Sequence, residues 1–280
     1  MKRLVPSLIV LAALLVASPA QATITIGQLP QGSAQNCGPS SGGYLQASVT
    51  SGNSYVVPAA GKIKSWSTTA LPTTGQQLSL YIFRPLAGTT YQTVSHDGPQ
   101  PLNPSVTSTF QVDLAVKSGD VIGVNPGLAT NFPVACGFVV PGETGEFNSF
   151  PNPPPNDGQS GPFFQIAGNR VNVRAEFDPS SDFGFAGLTK NKKKGQATVA
   201  VNLPGPGSAT LAGNGVKTQS AAFGTATGGL LNLKVVPNKK LAKKLKGGGK
   251  AGVTVNVTFT PTGGSAATKS ESLKLVKKKS

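Results

Sequence analysis

The residue types that could do chemistry in this chain are few and dispersed. Gly38-Pro39-Ser40-Ser41-Gly42 has the G-x-S-x-G spacing of a nucleophile elbow, and His96 is the single imidazole. In the elbow architecture the acid falls between Ser and His in chain order, yet no Asp or Glu lies between Ser40 and His96. The segment therefore reads as a surface loop beside Cys37, and His96, next to Asp97 and Gly98, as a solvated turn residue. Paired carboxylates of the kind that hydrolyse glycosides could come from Glu143 and Glu146, from Asp157, or from Glu176 and Asp178. Spacing alone converges none of them, and no catalytic residue is assigned. One His and two Cys without a CxxC cannot cage zinc, so no metal and no cofactor is expected. Calcium would need clustered oxygens, for which Asp157 and its neighbouring Asn residues are the only source in view.

Two further groupings concern binding. Rings that stack on sugar faces are the usual means of polysaccharide recognition, and Trp66, Tyr44, Tyr55 and Tyr91 are the candidates. Strict alternation puts Trp66 on one strand face with Lys62 and Lys64, which predicts an exposed ring; a core Trp closing one end of a sandwich is the other reading. Tyr81, flanked by Leu80 and Ile82, is expected to be partly buried. The second grouping is cationic. Residues 188–280 hold 17 Lys and one acid, Glu271, whereas residues 23–178 carry six basic side chains against eight acidic ones. Lys192, Lys193, Lys194, Lys239, Lys240, Lys243 and Lys244 form the densest runs. Nucleic acid is not expected as a partner, because single-strand binders interleave aromatics with their cations and only Phe223 and Phe259 follow residue 188. Cell-envelope polysaccharide or another anionic polymer fits a diffuse lysine surface better, since lysine attracts as a point charge without bidentate geometry.

These groups must be positioned by sheets. The chain of 280 residues contains 35 Gly and 23 Pro and is only 12% charged, which excludes a helical bundle or coiled coil. Lys2 and Arg3, an apolar stretch from Leu4 to Ala17 and the small-residue site Ala20-Gln21-Ala22 describe a secretory signal peptide, residues 1–22. The apolar run is too short to span a bilayer, so no transmembrane segment is expected in the mature chain, which is secreted or held at the cell surface. In an exported chain the even pair Cys37 and Cys136 predicts a disulfide, worth about 4–5 kcal/mol by loop entropy. Period-two alternation recurs at Leu78, Leu80 and Ile82, at Phe110, Val112 and Leu114, and at Val171, Val173, Ala175 and Phe177. Other expected strands are 44–49, 62–67, 91–95, 121–124, 133–140 and 163–166. The Pro-rich stretch 150–158 is an exposed loop. The fold class is all-β: a jelly-roll-like sandwich over 23–178, a linker over 179–187, and an Ig-like sandwich over 188–280.

In the last region Ala197 to Leu203 alternates into a Pro-Gly turn, and Leu231 to Val235, Val253 to Phe259 and Leu273 to Leu275 repeat the alternation. One short helix is expected, capped by Asn238, with Leu241 and Leu245 on one face and Gly247 ending it. Asn191-Lys192-Lys193-Lys194-Gly195, Leu203-Pro204-Gly205-Pro206-Gly207, the Lys-rich helix and the Leu-Lys-Leu-Val-Lys ending resemble the Lys-rich Ig-like modules at the C-termini of exported actinobacterial proteins. That resemblance covers residues 188–280 and implies a fold and a surface location, with no catalytic residue. Phe110 to Val124 is similar to the strand, Gly-Asp turn, strand unit of extracellular jelly-roll modules. The expected function is thus non-enzymatic binding of glycan or anionic envelope polymer. A secreted hydrolase acting on polysaccharide requires converging carboxylates or a Ser-His contact in a cleft, and a purely structural surface protein requires no cleft. Asn256-Val257-Thr258 is also a glycosylation sequon.

Overall fold

The computed structural model describes residues 23–37, 42–127, 133–149 and 155–279. The expected signal peptide, Ser40 of the elbow-like segment, and Phe150 to Pro154 of the Pro-rich loop lie outside the described residues. The fold is nearly all β, with antiparallel sheets and one short helix. Two hydrophobic clusters form, one from Ile26 to Phe177 and the other from Phe183 to Leu275.

The first cluster is enclosed by β1 (Ile24–Gln28), β3 (Tyr44–Gln46), β4 (Gly61–Thr69), β5 (Gln77–Pro85), β6 (Thr90–Pro101), β7 (Thr107–Val116), β8 (Val121–Asn125) and β13 (Val173–Pro179). One sheet has the order β1-β13-β4-β7, and the other contains β3-β8-β5-β6. Counting these eight strands from one to eight, the orders are 1-8-3-6 and 2-7-4-5, the two interlocked Greek keys of a jelly roll. Between β8 and β13 the chain inserts β9 (Ala135–Val139), β10 (Glu146–Ser149), β11 (Ser160–Ile166) and β12 (Asn169–Val171). Because β11 pairs with β6 and β10 pairs with β3, the second sheet closes into a ring. A third sheet, β12-β9-β2, uses β2 (Gln35–Asn36). It brings Cys37 and Cys136 together in the expected disulfide, with Cα atoms 5.5 Å apart.

Simple alternation fails at two places, each with a visible cause. In β4 the pairing register with β7 shifts between Ile63 and Ser65, and β13 opposite shifts between Glu176 and Phe177. Against β13, where Ser65 and Ile63 face the adjacent Glu176 and Phe177, Lys64 is the extra residue of the bulge. One added residue inverts the parity of everything after it, so Ile63 and Trp66 both face the core while Lys62 and Lys64 face out. The expectation that Trp66 shares the lysine face is corrected by this bulge. At Asn172, between β12 and β13, the chain passes from one sheet to another. Its buried side chain donates to Thr69 O at 2.7 Å and Ala135 O at 3.1 Å and accepts from Thr69 N at 3.2 Å. These bonds supply partners to backbone groups that the ladder leaves at the corner.

The second cluster lies between a three-stranded sheet of β14 (Gly184–Asn191), β15 (Gln196–Leu203) and β18 (Gly229–Val235) and a four-stranded sheet. The latter has the order β17 (Gln219–Phe223), β16 (Gly207–Gly213), β19 (Lys250–Pro261), β20 (Ala267–Val276). Seven strands in two sheets with alternating buried Val and Leu form a sandwich of immunoglobulin-like size. The chain joining the clusters is shorter than the expected 179–187. β13 runs through Pro179, β14 begins at Gly184, and Phe183 is already buried in the second cluster. Ser180 N donates to Ala60 O at 2.9 Å, and Lys269 Nζ donates to Asp182 at 2.7 Å and to Phe183 O, so the connector is bonded on both sides.

Candidate functional site

None of the four candidate sugar-stacking rings presents a face to solvent. Trp66 is 0% exposed, tilts against Phe110 at a centroid distance of 4.7 Å, and donates Nε1–H to Asp97 Oδ2 at 2.8 Å. Tyr55 is buried and its hydroxyl donates to Val171 O at 2.6 Å; burial drives its pKa far up. Tyr91 meets Phe163 edge-on at 5.2 Å, and Tyr44 is buried with its hydroxyl 3.2 Å from Cys37 O. Stacking on a saccharide at these four positions has no surface to use. Each ring instead satisfies its polar tip or packs within the ring-closed sheet, as buried Trp and Tyr must. Tyr81, expected to be partly buried, is half-buried and stacks on His96 at 5.0 Å.

The candidate catalytic groups go to different places. His96 Nδ1 lies 2.9 Å from Asp157 Oδ1 on an open surface. Glu176 accepts from the hydroxyls of Thr23 and Thr25 at 2.9 and 3.0 Å. Glu143 and Glu146, three residues apart, have opposite environments. Glu143 is buried, which by itself raises a carboxyl pKa. Arg170 Nε at 2.7 Å and the backbone N–H groups of Thr50, Thr144 and Gly145 outweigh burial and hold it at about 2. Glu146 is 3% exposed and its Oε2 has no hydrogen-bond partner among the described residues. Burial pushes its pKa up to about 7, against a hydrogen bond from Asn169. Glu146 lines a cavity of about 150 Å³ beside Cys37 and Cys136, whereas Glu143 is enclosed with Arg170. The two carboxyls share no open cleft.

The lysines do converge. The turn between β14 and β15 holds Lys192, Lys193 and Lys194, and Lys278 N donates to Lys192 O at 2.9 Å. Lys277 N donates to Gly249 O at 3.0 Å, which ties the C-terminal run to the segment after α1 (Lys239–Leu245). Asn238 caps α1 as expected, its Oδ1 accepting from Leu241 N at 3.0 Å. Leu245 is buried in the core, and Gly195 of the hairpin lies against Leu245 and Lys277. Three cationic segments far apart in sequence thus share one pole of the sandwich. Lys192, Lys193, Lys194, Lys239, Lys240, Lys243 and Lys244 are all exposed there, as are Lys246, Lys250, Lys278 and Lys279.

No protein-family model matches this chain, and no curated protein matches it. Its site must be judged on geometry. Lys269 is the only C-terminal lysine with an ion pair among the described residues, to Asp182 at the connector. Glu271, the one acid after residue 188, sits within β20 opposite Val255. Among the described residues the pole therefore concentrates positive charge with no side-chain carboxylate paired to it. At an ionic strength of 0.1 M the field of such a cluster extends about 10 Å into solvent. The clustering was hidden in the sequence because the lysine runs are separated by whole strands. The signal available was the shared polarity of a hairpin turn, a helix and a terminus.

Proposed function

We propose that this is an exported, non-enzymatic surface protein whose lysine pole holds it to anionic polymers of the cell envelope. The observation that carries the reading is the convergence of the β14–β15 turn, α1 and the C-terminal run at one uncompensated pole. The disulfide is compatible with an oxidising extracellular setting. No helix among the described residues is long and apolar enough to cross a membrane, and attachment through surface charge needs none. A flexible lysine array attracts a polyanion without a shaped pocket, and such attraction gives salt-sensitive retention. The N-terminal signal segment supplies the route out of the cell, and the resemblance of residues 188–280 to surface modules of exported proteins agrees with it.

The test is retention of the mature chain on purified cell wall as salt rises. Retention is expected at low ionic strength and elution by about 1 M salt, where the screening length falls to about 3 Å. Replacing Lys192, Lys193, Lys194, Lys239, Lys240, Lys243 and Lys244 together by Gln is expected to lower retention at least tenfold. All seven are exposed, so the variant keeps the parent's melting temperature to within a few degrees. Retention that ignores both salt and the seven substitutions would overturn the proposal.

A further inference from the structure

A cleft of about 770 Å³ opens on the jelly roll beside β1, far in sequence from the lysine pole. Its walls are the loop 29–35, the turn 51–53 and residues 138–140 at the end of β9. Under it runs a buried polar network. Gln28 Nε2 donates to Ser51 O and Asn53 O, both at 2.9 Å, and its Oε1 accepts from Arg170 Nη1 at 2.9 Å. Arg170, itself 3% exposed, also donates to Glu143 and to the Thr50 hydroxyl at 2.8 Å. One amide thus ties the turn 51–53 to a fixed cation whose charge Glu143 cancels. Gly27, at φ +73, passes so close to Val173 O that a Cβ would sit 2.3 Å from it, which holds β1 tightly against the network. Most of the donors of this floor are thereby engaged.

Above that floor hydrogen-bonding capacity is free. The side chains of Gln31, Ser33, Gln35 and Asn53 line the cleft, are exposed, and form no side-chain hydrogen bond among the described residues. Arg174, on the outer face of β13, also lines it and enters none of the ion pairs among the described residues. Val139, 54% exposed, supplies an apolar spot in the lining. Neutral hydrogen-bonding groups outnumber charges, one guanidinium lacks an anion, and one small apolar surface is left bare. A ligand matching all three has several hydroxyls, a C–H face and a single carboxylate.

We propose that this cleft binds a carboxylate-bearing saccharide, a uronate unit, with Arg174 pairing its acid and the Gln and Asn amides its hydroxyls. Guanidinium and carboxylate can meet through two parallel N–H···O bonds, which fixes the sugar's orientation as a lysine would not. Clefts of 300–1,000 Å³ are of the size that small ligands occupy. The site is independent of the lysine pole, so the experiment uses the mature chain carrying the seven Lys→Gln substitutions, which removes diffuse polyanion binding.

Trigalacturonate, its neutral analogue trigalactose and triglutamate are titrated into that chain by calorimetry. Trigalacturonate is expected to bind one to one, at least tenfold more tightly than either other probe. Arg174→Gln is expected to weaken it tenfold or more while the melting temperature is unchanged, since Arg174 is exposed and unpaired. Arg174→Lys should recover only part of the loss, because the paired geometry is gone. Absence of trigalacturonate binding, indifference to Arg174→Gln, or equal binding of triglutamate would each overturn the proposal. None of these results depends on whether the pole retains the parent protein on cell wall.

Discussion

Arg170→Met is expected to destabilise the fold by about 3–5 kcal/mol at pH 7, the usual cost of leaving one member of a buried ion pair alone. Glu143 has no exposure through which water could replace the guanidinium, and Gln28 and Thr50 lose their donor in the same change. Urea unfolding measures the loss. The pH dependence identifies its cause. In the parent, Glu143 is held at about 2, below its ordinary 4.5. Its contribution is therefore complete above pH 4.5 and is lost as pH falls toward 2. Without Arg170 only the backbone N–H groups and the Thr50 hydroxyl oppose burial, so the variant should lose less stability than the parent as pH falls from 4.5 toward 2. Replacing Glu143 by Leu in the Arg170→Met background should recover part of the loss, since no charge is then stranded. A variant whose stability runs parallel to the parent's from pH 3 to 8 would show that the pair contributes little.

Glu146→Gln is expected to do the reverse and stabilise the protein at pH 8 by about 3 kcal/mol, from a shift of 4.5 to about 7 at 1.36 kcal/mol per unit. The folded state binds this proton more tightly than the unfolded state, so the parent is favoured below pH 4.5. That advantage declines as pH rises to 7 and is gone above it. The glutamine has the same shape, can accept the Asn169 hydrogen bond, and carries no charge to desolvate. The gain should therefore vanish at pH 4. Paired urea titrations at pH 4 and 8 decide the matter, and an equal difference at both would rule out a buried ionisation. Together Glu143 and Glu146 place their combined optimum near pH 4.5. Both lie in the insertion between β8 and β13 that closes the second sheet, so pH acts on the fold through that segment.

Much of the architecture was legible because β-structure writes a period of two into the chain. Leu78, Leu80 and Ile82 are fully buried in β5, and Val253, Val255, Val257 and Phe259 are buried in β19, with Thr254 and Asn256 facing out. Asn238, Leu241 and Leu245 specified α1 for equally local reasons: a cap bond three residues long and a single helical face. The strands β2 and β10 escaped notice because two to four residues carry no readable alternation, and β1, β14, β16 and β17 because Gly and other small or polar residues blur theirs. Trp66 was misplaced for a different reason. A bulge is one residue inserted without any change of composition, and parity on either side of it is decided by the partner strand.

The site shows the same division. Charge is a property of composition, so the sequence by itself determined that the last third is strongly cationic, that two cysteines would pair across 99 positions, and that alternating strands would form sheets. Only the tertiary structure decided that lysines of a turn, a helix and a terminus meet at one pole. It likewise decided that Glu143 meets Arg170 while Glu146 meets no cation, and that Arg174 faces a cleft. Each of those outcomes depends on long-range pairing and on which side chain water can reach. Both quantities are set when sheets close on one another, after every local preference has been satisfied.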